Sequence, residues 1–424
     1  MTRLWTLALA AALLVSPVQA QSAKPLWVLQ EPGQIVEYDA ATFAARRTMN
    51  VPRRLLEHPE YLTVNARGQM LFLPPRGVQW AGGEMASAAD RVWFWDGRQA
   101  NEWPLESQPT RSTSGAQPIL VETTADWFLS SGGDWLVVLE TRFEKIVSEP
   151  GVERSVRTTS RILRTDLARS RSVTITSLPS SGWCACATGV CSETCPEWSF
   201  WAPDGVVGDV FLVTRVTPGQ IGSTYHESLL YQRSGQQWRA TKLPGAVQQP
   251  LAASSGGEIL IGAVLDGGCC GWENEGSDRL LLLRGGTVTV LYDELGRYDN
   301  RNYDVSFFPS NARLSPGKTM LAYTITSTAQ PGAEIRLSSS GKEAPRELTR
   351  VRTAMAELPS IEILRLGVKP RRTVVIRHAV LVGWLNDGEI LIVQDGRLSV
   401  YDVQTGTQRQ TPIRVRTAGD VFPR

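Results

Sequence analysis

Six cysteines are the first residues whose type and spacing promise chemistry. Cys184, Cys186, Cys191 and Cys195 crowd one short stretch, and Cys269 and Cys270 sit side by side in the glycine-rich segment DGGCCGWENEG. An even number of cysteines in an oxidising compartment pairs into disulfides by default. Adjacent Cα atoms are ~3.8 Å apart, short of the ~4.4–6.8 Å usual across a disulfide. Each of Cys269 and Cys270 is therefore expected to bond a cysteine of the 184–195 group. Two other chemistries compete. A thiolate metal site would use Cys184-x-Cys186 and Cys191-x3-Cys195, but the paired C-x2-C signature is missing and export disfavours free thiolates. A redox site on a vicinal disulfide is the third. The expectation adopted is three disulfides that pin two long loops, with no metal and no cofactor.

Other polar and aromatic residues cluster in loop-like segments. GQIGSTYHES carries Tyr225 and His226, expected between two middle strands. GWENEG carries Trp272, Glu273 and Asn274, and DELGRYDNRNYD carries Tyr298, Asp299 and Arg301. Aromatic rings beside Asp, Asn, Glu and Arg suit an unidentified protein, peptide or saccharide partner. Signals for catalysis are weak. The chain has only His58, His226 and His378; His58 reads as a loop residue and His378 as part of a strand. No nucleophile elbow, zinc-binding helix, P-loop or dinucleotide fingerprint appears. If the chain is an enzyme, His226, Glu273 and Asp299 are its general acid/base candidates, acting on a saccharide or peptide as a lyase or hydrolase.

The elements that must position these loops are strands. Residues 1–20, MTRLWTLALAAALLVSPVQA, have the basic start, apolar stretch and small final residue of a secretory signal peptide. No later stretch approaches the ~18 apolar residues of a membrane span. The mature chain, 21–424, is expected to be secreted or periplasmic. The formal charge of the full chain is +2, with both signs interspersed, so no basic stripe points to nucleic acid. Helical periodicity is nearly absent; short apolar or alternating runs are broken by Gly, Asp, Asn, Ser and Pro, the pattern of strands and tight turns.

These runs repeat one grammar: an apolar strand, a turn such as Asp-Gly, a second apolar strand, and a third ending in an aromatic residue and Asp. Ala202-Pro203-Asp204-Gly205, Ser315-Pro316-Gly317-Lys318 and Asn386-Asp387-Gly388 mark the turns, and Tyr38-Asp39 and Tyr401-Asp402 mark third-strand endings. They resemble the Ser-Pro-Asp-Gly-Lys signature of TolB-type and WD-like propeller repeats, which implies an all-β fold but no particular activity. Units begin near residues 25, 60, 120, 197, 250, 303 and 378, spaced by about 57 residues, somewhat above the ~40–50 of compact propeller repeats. The expectation is a single β-propeller of seven blades, each a four-stranded antiparallel sheet, with six or eight blades as alternatives. Each sheet can bury both faces only against its neighbours. A strand within 417–424 would complete the first blade. Cys269-Cys270 and the D-x-x-T-G turn at Asp402 also resemble quinoprotein alcohol dehydrogenases, but the chain is much shorter and the docking tryptophans of that family cannot be placed. In a propeller, the second-to-third-strand loops share a face with the connections between blades, so all six cysteines would emerge together. The reading that follows is an exported, non-catalytic module for binding or scaffolding.

Overall fold

The computed structural model describes residues 25–30, 33–51, 62–64, 70–72, 79–81, 84–86, 91–95, 98, 100–104, 107–114, 117–129, 135–149, 152–166, 171–178, 200–207, 210–218, 223–234, 237–243, 248–254, 259–264, 279–293, 297–298, 300, 302–329, 333–338 and 341–423. Among them, strands form seven antiparallel sheets of four or five strands and one two-stranded hairpin. In chain order the sheets occupy 25–50, 62–104, 107–177, 200–242, 248–293, 307–377 and 380–414. The third differs from the four-strand expectation, because an additional strand, Ser107–Ser114, precedes it. The first gains its fourth strand from the far end of the chain: Val421–Pro423 pairs antiparallel with Pro25–Gln30.

The alternating sequence explains how the sheets stack. Strand side chains point to opposite faces with a period of two, so one strand can serve two neighbours. Phe211 and Val213 pack with Ile162 of the third sheet, whereas Val210 and Leu212 pack with Leu260 and Leu283 of the fifth. Leu321 and Ile325 of the sixth sheet join the core shared with the fifth; Met320 and Ala322 join the one shared with Leu381, Ile390 and Ile392 of the seventh. Val382, Leu391 and Val393 then meet Leu26 and Val28 of the first sheet. Each such side chain contributes about 1.5–3 kcal/mol on burial, and the contribution requires a neighbour on either side.

Turns follow the repeated grammar only in part: 202–205 is not a turn but lies inside the strand Phe200–Val207, where Asp204 is the extra residue of a bulge. Asp39 Oδ1 accepts the backbone N–H groups of Ala41 and Thr42, and Asp402 Oδ1 those of Gln404 and Thr405, at 2.8–2.9 Å. Both turns place a left-handed residue four positions on, Phe43 (φ 57°) and Gly406 (φ 73°). The Ser315 hydroxyl accepts from Thr319 and Met320, and Gly317 N–H donates to Asp387 of the next sheet at 2.6 Å.

Besides a 3-10 turn at Ala418–Asp420, a longer helix departs from the all-strand reading. Pro345–Glu357 is a helix inserted between the second and third strands of the sixth sheet. Pro345 opens it, where a missing N–H costs nothing. Val351 and Met355, four apart, fall on one face and enter the core between the fifth and sixth sheets. Glu347, on the same stripe, accepts the backbone N–H and side-chain amide of Asn302 at 2.9 and 2.7 Å. Tyr303 fastens the same end by donating to, and accepting from, the backbone of Ala344. His378 also departs from the strand reading: it is an exposed turn residue with φ 55° between Arg371–Arg377 and Val380–Trp384.

Candidate functional site

Strand Ser360–Arg365 alternates Ile361 and Ile363 toward the seventh sheet with Glu362 and Leu364 toward the fifth. Glu362 thus puts a carboxylate, only 1% exposed, where the pattern calls for an apolar side chain. Burying an ion without partners is prohibitive, and Glu362 has three. Tyr323, directly opposite on the neighbouring strand, donates its hydroxyl to Oε2 at 2.6 Å. Arg297, from the connection between the fifth and sixth sheets, forks onto both oxygens, with Nη1 2.8 Å from Oε2 and Nη2 on Oε1. Arg372 donates Nη1 to Oε1 at 3.0 Å.

A β-bulge delivers Arg372. Ile363 pairs with Val374 but Leu364 pairs with Arg372, which leaves Thr373 as an extra residue in the outermost strand, Arg371–Arg377. A bulge re-aims what precedes it. Without it Arg372 would share a face with Val374 and Ile376; with it, Arg372 joins Val375 and Arg377 on the face of Glu362. Tyrosines hold the other arginine. The Arg297 guanidinium lies 5.6 Å from the Tyr292 ring centroid and 5.4 Å from that of Tyr298, within cation–π range. Tyr298 stacks on Phe307 at 4.2 Å between centroids, and the Tyr292 hydroxyl donates to the Phe307 carbonyl at 2.8 Å.

Beside this cluster opens a cleft of about 450 Å³, bounded by the strand, by the helix Pro345–Glu357 and by Arg297 and Tyr298. That volume is within the ~300–1,000 Å³ typical of ligand pockets. The helix contributes Thr349, Arg350, Thr353 and Glu357, one face at helical spacing. Four arginines and two glutamates line the cleft. Arg377 engages Glu357 through Nε at 3.0 Å.

The electrostatics make the cluster a fixed ionic unit. Burial alone would push the Glu362 carboxyl up; the hydrogen bonds and charge of Arg297, then the bonds from Tyr323 and Arg372, outweigh it and hold it below the ordinary value. Burial opposes the charge on Arg297, but Glu362 more than compensates, so its guanidinium is held charged above its ordinary value. Burial, followed by the charge of Glu362, pushes the Tyr323 hydroxyl up, and burial does the same to Tyr298.

Of the binding and acid/base candidates singled out from sequence, Tyr298 lies half-buried at the cleft beside Arg297. Tyr225 and His226 are not in a loop: they belong to the strand Ser223–Ser234, where Tyr225 opposes Val216 and His226 is the extra residue of a bulge. Trp272, Glu273, Asn274, Asp299 and Arg301 lie outside the described residues, as do Cys184, Cys186, Cys191, Cys195, Cys269, Cys270, His58 and the leader 1–20. The segments that carry the cysteines connect the third sheet to the fourth, and the second strand of the fifth sheet to its third. Arg297, Glu362 and Arg372 were missed. The one sequence signal for them is the carboxylate that interrupts an otherwise apolar strand, SIEILR.

No family model and no curated protein sequence matches the chain. Solved structures do resemble it. Dipeptidyl peptidase 4 of Porphyromonas gingivalis aligns at a TM-score of 0.44 and 9% identity over 93% of this chain, which spans only 59% of that one. The WD40 domain of SCAP from fission yeast aligns at 0.32 and 9% identity over 94% of this chain and 86% of its own. The β-propeller domain of the Trilobed protease from Pyrococcus furiosus aligns at 0.25 and 11% identity over 72% of this chain and 95% of that one. Such values describe a propeller-like likeness, and nothing about activity passes through them.

Proposed function

We propose that the chain is an exported β-propeller of seven blades, built from TolB-type and WD-like repeats, that acts as a non-catalytic binding module. Its binding face carries the cleft and the cysteine-bearing loops, with three disulfides shaping the latter. One observation supports this above the rest: the buried carboxylate of the cleft is neutralised on both oxygens by two arginines and a tyrosine. A general acid/base needs a proton affinity matched to the working pH. Glu362, driven the other way, is suited to orienting the arginines that line the cleft.

The test is site-specific photocrosslinking in the native export compartment, with the probe at Val375 in the cleft or at Val288, a similarly exposed position on the fifth sheet (44% and 43%). A discrete adduct from Val375 alone is the expected result. Equal labelling from both positions would count against it. So would turnover of a peptide or saccharide substrate that disappears in Glu273→Gln or Asp299→Asn. A mass about six daltons below that of the reduced mature chain checks the disulfides.

A further inference from the structure

We infer that the cleft receives an extended acidic segment of a partner protein, with acids two residues either side of an apolar one. This deepens the binding-module reading and rests on it. Along one side of the cleft the bulged strand presents Arg372, Val375 and Arg377 in line, positive, apolar, positive. A strand rises ~3.3 Å per residue, and the bulge takes up one of the five intervals, so the two arginine positions are about 13 Å apart. That is the span from residue i to i+4 of an extended peptide, whose residue i+2 falls on the same face. Acids at i and i+4 would meet the two guanidinium groups, and an apolar i+2 would cover Val375, a side chain 44% exposed.

Three further features favour an acidic peptide. The excess of arginine over glutamate gives the cleft a net positive charge. A guanidinium has five N–H donors; the pairs that Arg372 and Arg377 make with Glu362 and Glu357 engage one nitrogen of each. These pairs therefore orient the guanidinium groups without exhausting them. Finally, the strand is the outermost of its sheet, and a bulged, arginine-rich edge discourages indiscriminate strand pairing while leaving side-chain recognition intact.

The probe is a fluorescein-labelled peptide, SESVSES, titrated with the full mature protein by fluorescence anisotropy. Saturable binding is expected, weakened by raising NaCl from about 0.05 to 0.5 M and about tenfold weaker for SQSVSQS. Arg377→Glu should weaken it by at least about tenfold through charge repulsion. Val375→Asp should do the same, and because both positions are exposed, an unchanged melting temperature separates binding from folding. Equal affinity for SESVSES and SQSVSQS, or full binding by both variants, would overturn the inference. So would saturable binding of polygalacturonate with none of SESVSES. If Val375 still crosslinks a partner while the peptide fails, only the acidic class is wrong; if the crosslink fails as well, the binding reading falls with it.

Discussion

Two kinds of carboxylate in this molecule are held below their ordinary proton affinity, by opposite means. Asp39 and Asp402 lie partly exposed in turns, and backbone N–H groups within three residues lead in lowering them, bringing Asp39 to about 2. Glu362 lies in a core, where burial pulls the other way and loses to cations from distant parts of the chain. The first arrangement holds wherever the turn forms. The second exists only while Arg297 and the strands carrying Tyr323, Glu362 and Arg372 stay assembled, so removing the carboxylate leaves Arg297 partly buried without compensation.

This contrast can be broken experimentally. The largest effect is expected from Glu362→Gln, which leaves Arg297 partly buried beside a neutral amide. A loss of about 3 kcal/mol in urea unfolding is expected, at the low end for a broken buried pair because Arg372 is half-exposed. The pH dependence follows from the same carboxyl. Its folded value is depressed, so its contribution is complete above the unfolded value of about 4.3 and is lost as the pH falls through the folded value. The stabilities of wild type and Glu362→Gln should therefore converge in acid and separate above about pH 5.

Arg297→Met should reverse that sign. With its main cation gone, burial should raise Glu362 above its ordinary value; its contribution would then be complete below the unfolded value and lost as the pH rises through the folded one. Carbon-13 NMR titration of the carboxyl distinguishes the two cases. Arg46→Ala provides the matched comparison. Arg46 pairs with Asp39, but the Thr42 and Ala41 N–H groups lead there, so Asp39 should remain well below 3.8. The smallest effect belongs to Asp402→Asn, whose amide oxygen can accept the same two N–H groups; its melting temperature should stay near wild type, whereas Asp402→Ala should lower it.

The same contrast divides what was legible from what was not. The repeated Tyr-Asp endings at 38–39 and 401–402 and the Ser-Pro-Gly-Lys turn at 315–318 could be read because a turn closes on hydrogen bonds spanning no more than five residues. The sheets could be read because alternation records two buried faces, as at 320–325. The helix Pro345–Glu357 was overlooked although Pro345 and the Glu347, Val351, Met355 stripe were visible, since only three of its residues are buried and its composition is otherwise polar. His226 looked like a loop residue because no local pattern announces that the strand continues through a bulge.

By itself, then, the sequence determined that strands would form, where the turns after 39, 315 and 402 would fall, and that no sheet could stand without neighbours. The tertiary structure alone decided that Glu362 would meet Arg297, 65 residues away, and Tyr323, 39 away. It also decided that the Thr373 bulge would bring Arg372 to the same carboxylate. Turn chemistry is encoded within a few adjacent residues. A buried ion pair depends on register and on burial, and neither exists until the sheets have packed.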